Sequence, residues 1–285
     1  MSYASTAAGA TPPEVIRLEH HDPIVDAIAR QRRRNTLRFR LIFTATWVAL
    51  IGLIVGGLFA ADKIDTEFLG RWAPFILGGV PITIFVSVSS IAVAIVFATL
   101  GALGRLSSNP IIYGLAGFYV SLVRGTPLIV QILFIYLALP QIWSGFALVP
   151  PIALGIFALS FNYGAYMTEI FRAGIQAVPR GQSEAAEALG MTDRMRMWRV
   201  VLPQAIRIVT PAIGNEFIAM TKDSALVSYM TVQEILWRAQ RVGQANFRSL
   251  ETLLVAAAVY WVLTIVFSFF QDRLEKRMAQ SDVRI

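Results

Sequence analysis

The chain has 285 residues, 56% of them hydrophobic and 15% charged, with a formal net charge of +7. Soluble domains carry about a quarter charged residues, so this composition excludes an ordinary water-soluble enzyme and points to an integral membrane protein. Cysteine is absent, and no GxxxxGK[ST], HExxH or GxSxG pattern occurs; a disulfide framework, a thiolate metal site, a phosphate loop and the evident tools of hydrolysis are therefore all missing.

The first 40 residues form a polar arm with seven arginines: Arg17, Arg30, Arg32, Arg33, Arg34, Arg38 and Arg40. His20 and His21, the two histidines of the chain, read there as solvated side chains rather than a ligand set. The arm leads into "LIFTATWVALIGLIVGGLFA" (Leu41–Ala60), 20 residues without a charge, which is the length a helix needs to cross the hydrocarbon core. This run starts too late and is too long for a cleaved signal peptide, so it is expected to stay as a span. Five further spans are expected at about 75–103, 113–139, 150–171, 208–229 and 252–270. Pro81, Pro127 and Pro211 are expected to mark kinks or first helical turns rather than breaks. The fold class is thus an all-α integral membrane protein with about six transmembrane helices.

Six spans put both termini on one side. That side would carry eighteen lysines and arginines, against five (Lys63, Arg71, Arg238, Arg241 and Arg248) on the other. The positive-inside rule then places both termini, the 172–207 loop and the 276–285 tail in the cytoplasm. The same excess suits anionic lipid headgroups. It is spread over separate loops, which argues against nucleic acid as a partner.

The polar segment "SEAAEALGMTDRMRMWRVVLP" (Ser183–Pro203) interrupts this oily chain on the cytoplasmic side. Ser183 is expected to cap a short helix, with Glu184 and Glu187 at its positive end and Gly190 as a left-handed stop. Thr192 caps a second helix that Pro203 limits. Ala185, Ala188 and Leu189 form one small apolar face, and Met195, Trp198 and Leu202 another. Two short helices with such faces make a docking element whose methionines adapt to an apolar groove; a loop packed on the membrane surface is the competing reading. A DNA-reading helix-turn-helix does not fit a segment tethered by spans at both ends.

These residues resemble the EAA loop of permease subunits of bacterial ATP-binding-cassette importers. Glu184-Ala185-Ala186 leads to Gly190 and on to Val200-Val201-Leu202-Pro203, with Val200 in place of the usual isoleucine. "SLVRGTPLIVQILFIY" (Ser121–Tyr136), "YMTEIFRAGIQAVPRGQSEAA" (Tyr166–Ala186) and "KDSALVS" (Lys222–Ser228) resemble the polar amino acid branch. The similarity covers about residues 75–275, a five-span importer core; the arm 1–40 and the extra span 41–60 lie outside it. The resemblance implies a division of labour. An extracytoplasmic binding protein delivers solute, two permease subunits (two copies of one chain, or a copy with a relative) form the pathway, and two cytoplasmic ATPases hold ATP and magnesium. This chain would bind no cofactor of its own. Its coupling to the ATPases would run through Glu184, Ala185, Ala186, Ala188, Leu189, Gly190, Met195 and Arg196.

Ionisable groups within spans are functional candidates. Arg124, Glu216, Lys222 and Asp223, with Asn162 and Tyr163, supply the acceptors and donors that a zwitterionic amino acid needs along a pathway. Glu216 and Asp223 lie two turns apart on nearly one helix face. Glu169 is expected to pair with Arg172 at i+3, and for Arg124 snorkelling is the other reading. Two other function classes stay open. An ion-driven secondary transporter would call for paired broken helices in an internal repeat, and a membrane scaffold would not need the intramembrane charges.

Overall fold

The computed structural model describes residues 23–282, with side chains from residue 31 to residue 278. His20, His21, Arg17 and Arg284 lie outside the described residues. Among those described, the chain is helical from end to end, linked by short turns. It divides into two units at Lys63/Ile64. The described part of the first is α1 (Pro23–Ala60), one unbroken helix that carries the 41–60 apolar run and continues back into the basic arm.

The second unit begins with α2 (Thr66–Leu77), capped by Asp65, whose carboxylate accepts from the backbone N–H groups of Glu67 and Phe68 at 2.9 and 3.0 Å. Then comes α3 (Val80–Arg105), with Pro81 in its first turn as expected. Asn109 caps α4 (Pro110–Arg124) by accepting from Ile111 and Ile112.

The third expected span does not run through Pro127. Helix α4 ends at Arg124, and α5 (Leu128–Leu133) leaves at 104° to it, continued by a π-helical turn (Phe134–Ala138) and α6 (Leu139–Ile142). Pro127 lacks a donor and forces Thr126 out of the helical region, so it is a break. Two of the carbonyls at the break are taken up by one side chain: Gln131 Nε2 donates to Val123 O at 2.8 Å and Thr126 O at 3.1 Å.

After a 3₁₀ turn (Ser144–Leu148), α7 (Pro151–Gln176) packs along α3 in the most extensive helix contact of the fold. Small residues make this possible. A methyl group on Gly101 would collide with Thr168 of α7, and one on Gly164 with Phe97 and Tyr119. Ser160 Oγ donates to Ser90 O across the pair at 3.0 Å.

Next come α8 (Arg180–Ala188), α9 (Asp193–Arg196), a π turn (Met197–Val201) and α10 (Leu202–Asp223). Pro203 does not stop the helix. It sits in the first turn of α10, and the π turn ahead of it absorbs the missing donor. Pro211 lies within α10. A 3₁₀ turn (Ser224–Met230) leads to α11 (Ile235–Asn246) and α12 (Ser249–Asp282).

Glu234, fully buried, caps α11 by accepting from Trp237 N at 2.7 Å, and it also accepts from the hydroxyl of Tyr260 and from Thr83 Oγ1. This joins α3, α11 and α12 around one carboxylate. The core lies between α3, α5, α7 and the 224–230 turn, where Val86, Ile132, Leu159 and Val227 are fully buried.

Three helical stretches among the described residues are long and apolar enough to cross a membrane, or four if the bent pair α4–α6 is one span. Helices α7 and α10 fall outside that count. They carry Asn162, Glu169, Glu216, Lys222 and Asp223, and neighbouring elements bury twelve residues of α7 and four of α10.

Candidate functional site

The polar segment expected to dock a partner is built from α8, α9 and the turn between them. Ser183 does not cap α8: the helix starts three residues earlier, behind Pro179, whose fixed φ already sets the first turn, and Ser183 lies inside it. Gly190 does end it in the left-handed region at φ 76°, its N–H donating to Glu187 O at 2.8 Å. Thr192 caps α9, its hydroxyl accepting from Met195 N at 3.3 Å. Arg196 then clasps both halves, with Nη1 3.6 Å from Glu187 and Nη2 2.9 Å from Asp193. Its guanidinium is used inside the segment rather than presented outward. Ala186 also turns inward and is buried. What remains outside is an apolar edge: Leu189 is 78% exposed and Trp198 64%, with Met195, Met197, Ala185 and Ala188 exposed beside them. Glu184 lies exposed on the same helix.

The second candidate group gathers around one turn of α7. Asn162 Nδ2 donates to Gln131 Oε1 of α5 at 3.1 Å. The next residue, Tyr163, donates its hydroxyl to Asp223 Oδ2 at the end of α10 at 2.8 Å. One turn on, the ring of Tyr166 lies 5.2 Å beneath the guanidinium of Arg124, the last residue of α4 before the break. Residues 162–166 of α7 therefore touch three different elements. Asn162 and Tyr163 are nearly buried, whereas Arg124 and Lys222 are exposed and Glu216 and Asp223 lie between. Glu169, lower on α7, pairs with Arg172 at 2.6 Å as expected, and also with Arg105 of α3 at 3.3 Å.

Sequence reasoning passed over three residues here. Gln131 bridges the α4–α5 break to Asn162; its signal is an amide one turn past Pro127. Arg105 closes the Glu169 cluster, a contact across 64 positions that no local pattern carries. Glu234 stands before an apolar run, where an acidic residue reads as a cap.

The inner membrane component of binding-protein-dependent transport systems, as a family, matches residues 91–280. The chain belongs to this family. A probable amino-acid permease of Bacillus subtilis, YxeN, is 36% identical to the permease over 219 residues, 77% of this chain and 98% of the relative. The arginine transport system permease ArtQ of the same organism is 38% identical over 73% of this chain and 94% of the relative. The nopaline transport system permease NocM of Agrobacterium fabrum is 37% identical over 72% and 88%. Among solved structures, an amino acid ABC transporter with histidines aligns at a TM-score of 0.70 and 38% identity, covering 75% of the permease and 99% of that chain. The MetNI methionine ABC transporter, in an inward-facing form, aligns at 0.58 with 15% identity and shows the shared fold. The permease is thus a multi-pass membrane protein whose relatives are transport permeases rather than enzymes.

Proposed function

We propose that the permease is the membrane subunit of an ATP-driven importer of amino acids or close relatives such as opines. Its termini and the α8–α9 segment face the cytoplasm, and six spans are formed by α1, α2–α3, α4–α6, α7, α10 and α12. Two ATPases bind ATP and magnesium, which this chain has no phosphate loop to hold. A binding protein delivers solute from outside, and a second permease subunit, identical or related, completes the pathway.

The observation that carries this reading is the exposed edge of Leu189 and Trp198 on a segment otherwise locked by its own caps and ion pairs. A rigid element with an uncovered apolar edge and charged flanks fits a groove in a soluble partner. The Asn162, Tyr163 and Asp223 contacts lie where α4, α5, α7 and α10 meet, so a solute passing there can alter how those helices pack. Gln131 at the break couples the position of α5 to Asn162.

Reconstitution in liposomes tests the proposal. Uptake is expected only with the ATPase and binding protein present and ATP inside. Replacing Leu189 and Trp198 together with Glu should release the ATPase and abolish uptake while the helices stay folded, since both side chains are exposed. Uptake by the permease alone along an ion gradient would sink the reading, and so would an unchanged ATPase complex in the double variant.

A further inference from the structure

Helix α10 joins the α8–α9 segment at its start to Asp223 at its end. It is held at two separate places. Residues 202–209 are gripped near the segment, where Ala205 is buried with Val178 and Val201. Val209 fills the notch beside Gly174 of α7, where a methyl group would collide with it. Residues 213–223 are gripped beside the polar group, where Met220 is buried with Ala98, Tyr163 and Met167.

Between the two grips the helix is weak. Pro211 brings no N–H to the carbonyl of Arg207, four residues back, and Gly214 leaves the backbone freer than any other residue would. Sharp helix bends concentrate at such prolines. There is also room to bend. A largely apolar cleft of about 310 Å³ lies alongside, bounded by Ile206, Val209 and Ile213 of α10, Thr99 and Leu103 of α3 and Phe171 of α7.

One side chain of α12 closes this weak stretch. Gln271, 8% exposed, donates its Nε2 to Pro211 O at 2.9 Å and to Glu275 Oε1 at 2.7 Å. Its amide occupies the space that a side chain on Gly214 would need, so that a methyl group there would fall on it. One turn further along, Phe217 and Phe267 already join the two helices by apolar contact, with ring centroids 4.9 Å apart. A buried amide is a costlier way to join them, and it sits where the backbone of α10 is least able to hold itself.

We infer that α10 bends at residues 211–214 during transport and that Gln271 is a positioning residue that latches the bend. When the α8–α9 segment moves, residues 202–209 swing toward the cleft, Pro211 O leaves the Gln271 amide, and the far half of α10 carries Asp223 against Tyr163. A bond made in only one arrangement biases the balance between the two. The inference rests on the importer reading above, because that reading makes the α8–α9 segment the place where the ATPase acts.

The experiment uses the full assembly in nanodiscs with its ATPase and binding protein. It measures ATP turnover with and without solute, and the thermal midpoint. Pro211→Ala restores the backbone donor, so the midpoint should hold or rise while solute-stimulated turnover falls about threefold or more. Gln271→Ala removes the latch, so turnover without solute should rise about threefold or more and the stimulation by solute shrink. Gly214→Ala displaces the amide from the other side. It should act like Gln271→Ala by itself and add nothing in that background, where the space is free. A raised midpoint with unchanged turnover in Pro211→Ala overturns the bend. A lowered midpoint with an unchanged ratio of stimulated to basal turnover in Gln271→Ala assigns the amide to packing and overturns the latch. A wild-type assembly whose ATP turnover ignores solute would break the importer reading, and the inference with it.

Discussion

Helices α7 and α12 both run far enough to cross a bilayer, yet they meet their surroundings in opposite ways. Along α12 the apolar residues face outward: Trp261, Val262, Ile265 and Phe269 are each more than two-fifths exposed, and only 6% of its most apolar window is buried. Along α7 twelve residues are buried, among them Ser160, Asn162, Tyr163 and Thr168. The apolarity of a helix here tracks how much of its surface neighbouring helices leave uncovered. Helix α7 is free to carry polar groups such as Asn162 and Tyr163 because neighbouring elements cover them and supply their hydrogen-bond partners.

The comparison breaks most sharply under truncation of an apolar side chain on each helix. Leu159 on α7 is fully buried, and Leu159→Ala leaves a cavity among Val86, Ile132 and Val227. The expected loss is about 2–5 kcal/mol. Ile265 on α12 is 53% exposed, and Ile265→Ala should stay within about 0.5 kcal/mol of wild type. Thermal unfolding in nanodiscs measures both. Equal losses would mean that α12 is packed against protein rather than lipid.

A polar pair sharpens the same contrast. Tyr163→Phe removes the donor to Asp223 and leaves a half-buried carboxylate without that partner, which should cost about 1–3 kcal/mol and lower solute-dependent ATP turnover. Tyr229, 53% exposed on the 224–230 turn, offers the matching control: Tyr229→Phe should change neither. If turnover is untouched in the Tyr163 variant while the midpoint falls, the Tyr163–Asp223 contact is structural alone.

Much of this molecule can be read locally. Gly190 and Thr192 act on their own neighbours, so the α8–α9 turn follows from short-range rules, and so does the Glu169–Arg172 pair. The pieces that escaped reading depend on contacts or alternatives that a single stretch does not contain. Proline suits a first turn, a kink or a break. At Pro127 the break is favoured because Gln131 satisfies the carbonyls it leaves, whereas at Pro203 a π turn lets the helix carry on. Ser183 resembles a cap only until the helix is known to begin behind Pro179. Asn162, Tyr163 and Arg124 stand out as polar groups in oily segments, but their meeting on one turn of α7 is set by how α4, α5 and α10 pack around it.

The smallest expected effect concerns how the outer helix is held. Helix α12 is tied by polar contacts near its ends: Gln271 Nε2 donates to Pro211 O of α10 at 2.9 Å, and at the other end Arg248 and Glu251 meet Asp65. The Asp65 carboxylate is held below the usual range, first by the backbone N–H of Phe68 and then by Arg248. A lowered value means the charged form is favoured by folding. Its contribution is complete above the ordinary carboxylate value of about 3.9 and fades as the pH falls through the lower folded value. Asp65→Asn keeps a good helix cap and removes only the charge. The variant should therefore unfold at a slightly lower temperature than wild type at neutral pH, and the gap should close in strong acid. Because the site is open to solvent, added salt should narrow the gap at neutral pH as well. A gap that is large, or that persists unchanged in acid, would show that the outer helix depends on this corner through packing rather than through charge.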